Sequence, residues 1–244
     1  GLLLVMQAAV QSIVVTVLVP APGQAFVRWW DAVIGGAVAL VFAAVVPSAP
    51  LRRPRQQAAR VARRIAVLLR DAAVSAQDGD VDRAAEVLSR ARETDELIRE
   101  LQAAADEGMS VIASSPFRRN DGHSVRTMAS VVEPLDRALR STRVLVRRVS
   151  IAAYHQADIP SAFPEVWEQL AEAVDVLARA WSENRSAEFA RPALQAVGDR
   201  IAQLAPGDYH TTVLLAQTRM LVVDLLELSG LEHDDAATTF PPQA

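Results

Sequence analysis

Apolar and polar positions divide this chain into two regimes. From Leu2 to Val19 the residues are nearly all apolar and none is charged; Gln7, Gln11, Ser12 and Thr16 are the polar exceptions. A turn cluster, Pro20-Ala21-Pro22-Gly23, closes this run, and a short connector ends in Phe26-Val27-Arg28-Trp29-Trp30. A second apolar run extends from about Asp31 to Val46 and is closed by Pro47-Ser48-Ala49-Pro50. The first run matches the length that crosses a hydrocarbon core of about 30 Å. The second is shorter in its strictly apolar part, but interfacial tryptophans and a snorkelling arginine extend it. The pattern predicts an all-α fold: two transmembrane helices followed by a multi-helix bundle.

Beyond Leu51 apolar residues recur at helical spacing with charges between them, and no segment alternates as a strand does. Helices are expected over about 54–76, 80–113, 124–155, 164–182, 187–204 and 208–228, about six in all. Gln77-Asp78-Gly79-Asp80 and Pro206-Gly207-Asp208 read as turns, with Asp80 a candidate N-cap. Pro134 predicts a kink. Trp167 and Trp181 lie on one helix face and read as core residues. The expected organisation is a transmembrane hairpin over 1–50, a helical domain over 51–231 and a flexible tail over 232–244.

Charge sharpens this division. Residues 1–70 carry eight arginines and one acid, Asp31, for a net +7; residues 71–244 carry a net −11. Seven of those eight arginines, Arg52, Arg53, Arg55, Arg60, Arg63, Arg64 and Arg70, directly follow the second span. Arginines gather on the cytoplasmic side of a span, so the connector is expected to face outward and the bundle to be cytoplasmic, on an inner or plasma membrane. The arginine collar suits anionic lipid headgroups, while the acidic body excludes nucleic acid as a partner. Without cysteine, disulfides, thiolate catalysis and cysteine-based metal sites are excluded.

The stretch Arg28-Trp29-Trp30-Asp31-Ala32-Val33-Ile34-Gly35-Gly36, followed by a proline-bounded exit and an arginine-rich helix, resembles a motif of the aromatic acid exporter family, within the fusaric acid resistance-like group. The resemblance is strongest over residues 1–76. It implies an integral membrane transporter that exports aromatic or other organic acids, driven by protons. Such proteins have more than two spans, so the chain is expected to be the C-terminal part of a longer protein. Two spans enclose a substrate path only if copies assemble, so a homo-oligomer is expected, with the lipid bilayer and an organic anion as further partners. The alternative reading is a membrane-anchored helical interaction module without transport activity.

Several residues carry both a functional and a plain structural reading. Arg28 and Asp31 stand three apart and can pair on one helical turn; Asp31 is either a proton-coupling carboxylate or a helix N-cap. Gln7 and Gln11 share a face and either line a substrate path or bond to neighbouring helices. Gly35 and Gly36 let helices pack closely. His123, His155, His210 and His233 are scattered, and none has a second ligand at metal spacing, so neither metal nor cofactor is expected. Glu93, Asp95, Glu96 and Glu100 alternate with Arg92 and Arg99 as a mixed-charge surface. No catalytic constellation is present, so the chain does not read as an enzyme.

Overall fold

A computed structural model describes residues 30–31, 33–38, 49–114, 130–205 and 207–240. The chain divides into two compact units, Gly1–Ser48 and Ala49–Ala244. In the first, residues 30–31 and 33–38 are helical, and the side chains of Trp30, Val33, Ile34 and Val38 are exposed. Among the described residues no helix is long and apolar enough to cross a membrane. The predicted span over Leu2–Val19 lies outside the described residues, as does most of the span over 31–46.

The second unit is an all-α bundle. Eight α-helices and one 3-10 turn follow in order among its described residues: α1 (Ala49–Asp78), α2 (Val81–Arg92), α3 (Asp95–Ser114), α4 (Val132–Tyr154), α5 (Ala162–Ser182), a 3-10 turn (Ala187–Ala190), α6 (Arg191–Ala202), α7 (Tyr209–Leu228) and α8 (His233–Ala237).

Helix α1 is the axis. Ala58, Val61, Ala62, Ile65, Leu68, Leu69 and Ala72 lie along it with almost no exposure, and it packs against α5, α4, α3 and α2 in turn. Its alanines let neighbouring helices approach closely, while each fully buried leucine or isoleucine stabilises the fold by about 1.5–3 kcal/mol. Trp167 and Trp181 are both buried on α5, as their shared face predicts.

Local chemistry sets several boundaries where the sequence placed them. Gly79 takes a positive φ of 63° and donates its N–H to the Ser75 carbonyl at 3.1 Å, ending α1. The Asp80 carboxylate then accepts from the Arg83 N–H at 3.1 Å and starts α2. Asp208 and Thr211 cap each other at the start of α7, each side chain accepting the other's backbone N–H at 2.8 Å.

Three expectations are corrected. The long helix over 80–113 is two helices, broken at Glu93-Thr94; the Thr94 hydroxyl donates to the Ala91 carbonyl at 2.7 Å and competes with the helical ladder. Pro134 does not kink a helix: α4 begins at Val132, so this proline falls in the first turn, where its missing N–H has no intrahelical partner to lose. The segment read as a flexible tail is packed through residue 240, with Ala236 fully buried in α8 and Phe240 against the core.

Candidate functional site

An open groove of about 590 Å³ runs along α5 between α1 and α6. Its apolar lining comes from Ala173 and Val176 of α5 and from Ala193, Ala196 and Val197 of α6. The alanines create the space, because a larger side chain at those positions would fill it. Three arginines, Arg70, Arg179 and Arg200, line the same groove together with Gln169, Glu172 and Asp175.

The charges in the groove are not equivalent. Arg70 Nη2 meets Asp175 Oδ2 at 2.5 Å, so these two offset each other. Arg179 and Arg200 form no side-chain ion pair among the described residues, which leaves two guanidinium groups against the single carboxylate of Glu172. A guanidinium presents a planar fork of donors that matches a carboxylate, and a charge-assisted bond of this kind is roughly twice as strong as a neutral one. The volume falls within the range of small-molecule sites, about 300–1,000 Å³. What the lining suits chemically is holding an amphiphilic anion.

A second polar cluster lies where α4, α7 and α8 meet. Arg137 of α4 faces Glu133 at 3.3 Å, Asp224 at 3.6 Å and Glu227, and Ser141 donates to Asp224 at 2.7 Å. His233 of α8 pairs with the other oxygen of Glu227. Burial raises the Asp224 pKa above its ordinary value, opposed by the Ser141 bond and the Arg137 charge. The hydrogen bond and charge of Glu227 raise the His233 pKa.

The arginine collar is spent largely on the bundle itself. Arg53 pairs with Glu107 at 2.9 Å, Arg60 faces Glu100 at 3.6 Å, Arg63 donates to the Ser182 hydroxyl at 2.5 Å and Arg64 donates to the Arg90 carbonyl at 3.0 Å. These contacts are mostly solvent-exposed, so each ion pair contributes on the order of 0–1 kcal/mol. The mixed-charge surface of α3 is seen as expected, with Arg99 holding Glu96 at 2.5 Å.

Of the residues singled out from sequence, Gln7, Gln11 and Arg28 lie outside the described residues. Asp31 is helical and exposed. Gly35 and Gly36 are helical, and a methyl group built on either meets nothing within 4 Å among the described residues. Two of the scattered histidines meet: the His155 and His210 rings stand 5.6 Å apart between centroids, flanked edge-on by Tyr154 and Tyr209. Their 55-residue separation hides this pairing from sequence spacing. No group of three or more metal-ligating side chains occurs among the described residues.

The chain is similar to an uncharacterized protein of Corynebacterium glutamicum, 28% identical over 245 aligned positions. The alignment covers 97% of this chain but 63% of that relative, so the chain spans less than two thirds of the relative's length. No family model matches, and no solved structure matches.

Proposed function

We propose that this chain forms part of an integral membrane transporter that exports organic acids, and that the bundle is its accessory domain on the cytoplasmic side. The observation that carries the reading is the α5–α6 groove. Two guanidinium groups that form no ion pair among the described residues stand beside an apolar lining, an arrangement suited to a carboxylate on an apolar body. Two further features support it: the paired apolar runs before an arginine collar, and the exposure of Val33, Ile34 and Val38 on a helical segment, as expected of a surface that meets lipid or a partner helix. A homo-oligomer would supply the helices that two spans lack.

The test is efflux of a labelled aromatic acid from cells that lack the gene, complemented with the wild type or with an Arg179→Gln/Arg200→Gln pair. Wild-type cells should retain less label, and the double variant more, at equal membrane abundance. Equal retention with and without the gene rejects export.

A membrane-anchored interaction module is the second reading. The run of rings Tyr154, His155, His210 and Tyr209 at one end of α4 and α7, with both tyrosines exposed and His210 partly buried, favours it, because exposed aromatics are common anchors of protein contacts. Loss of a co-purifying partner on Tyr154→Ser/Tyr209→Ser, with efflux absent throughout, selects this reading.

A further inference from the structure

The C-terminal segment returns across the bundle after α7. Ser229 caps that helix, and Gly230 takes a φ of 87° and turns the chain back. Residues 233–240 then lie over α6 and α7 and are held at three places. Ala236 is fully buried. Thr239 and Phe240 sit over Gly198 of α6, where an added Cβ would come within 3.0 Å of the Thr239 methyl group, and the Arg219 guanidinium lies 5.7 Å from the centroid of the Phe240 ring. At the near end, His233 pairs with Glu227.

The first two holds are apolar or aromatic and do not titrate near neutrality. The third does. Glu227 is only 11% exposed, so its charge acts on His233 with reduced screening by water. Among the described residues the charged groups around this contact are Glu227 and Asp224 on α7, Arg137 and Glu133 on α4, and Asp234 and Asp235 on α8 itself. Among these groups Arg137 is the one fixed cation against five carboxylates, so a charged imidazole is favoured there.

We propose that residues 233–240 form a proton-controlled clasp, closed over α6 and α7 while the His233 imidazole is charged and loosened when it is neutral. The sign follows from linkage. The pKa of His233 is raised above 6.5 when the segment is docked and returns to its ordinary value when the segment is free. The contribution of this contact is therefore complete below pH 6.5 and is lost as pH rises through the raised value. Opening uncovers the strip beside Gly198 and Val222 that Thr239 and Phe240 cover.

Amide hydrogen exchange on the full chain in lipid nanodiscs tests this, with rates divided by those of unstructured peptides at each pH. The reporting amides are Ala236, which donates to the Glu232 carbonyl just before the segment, and Thr238, Thr239 and Phe240, which donate to carbonyls within it. Their protection should fall together by roughly threefold or more between about pH 5.5 and about pH 8.5, while core amides of α5 keep theirs. His233→Gln should remove the pH dependence, and His233→Arg should keep the segment protected at both pH values. Wild-type protection that ignores pH overturns the proposal, as does a His233→Gln chain that retains the wild-type fall.

Discussion

Trp167 donates its indole N–H to the Thr218 hydroxyl at 2.9 Å, with both side chains fully buried where α5 meets α7. Thr218 in turn donates to the Leu214 carbonyl at 2.8 Å, so neither group is left with an unmet donor. A buried polar atom costs most when one partner is removed and the other stays. Thr218→Val keeps the shape and strands the indole N–H, and it should cost about 1–3 kcal/mol. Urea unfolding measures this. The same substitution in a Trp167→Phe background should cost clearly less, and equal costs in the two backgrounds would show that the bond contributes nothing.

Asp224 makes a pH prediction. Burial holds its folded pKa above the ordinary 3.8, so the folded state keeps this proton to a higher pH than the unfolded chain does. Across the window from 3.8 up to the raised value the native state binds more protons, and this group's contribution to stability falls as pH rises. Asp224→Asn removes that term. The slope of unfolding free energy against pH should become more positive in that window; parallel curves for wild type and variant would exclude the effect.

Gly198 sits within α6 directly beneath Thr239. Gly198→Ala favours the helix by up to about 1 kcal/mol. Its new methyl group also meets the Thr239 Cγ2 at 3.0 Å, and the threonine lies on a segment able to move. Global unfolding should change by about 1 kcal/mol or less, while amides 239 and 240 exchange faster. Unchanged exchange would mean that the C-terminal segment tolerates the methyl group in place.

Asp31 separates two roles by one substitution. Asp31→Asn keeps the side chain's size and polarity but removes the charge. Under the transport reading with proton coupling, efflux should be lost at normal expression; normal efflux would exclude the coupling role.

The all-helical class, the starts of α2, α5 and α7 and the buried face of α5 were legible in the residues. These features are local: helical periodicity, an Asp or a Gly at a helix end, and tryptophans a whole number of turns apart act within a few residues of each other. The break at Thr94, the harmless position of Pro134 and the docking of residues 233–240 were decided by tertiary structure. So were the pairs that define both polar sites, Arg70 with Asp175 and Arg137 with Asp224, and the meeting of His155 with His210. Each joins helices far apart in the chain, and periodicity says which face of a helix is buried without saying which helix covers it. The groove itself arises from alanines on α5 and α6 that in sequence read only as good helix formers; its shape exists only once the two helices stand side by side.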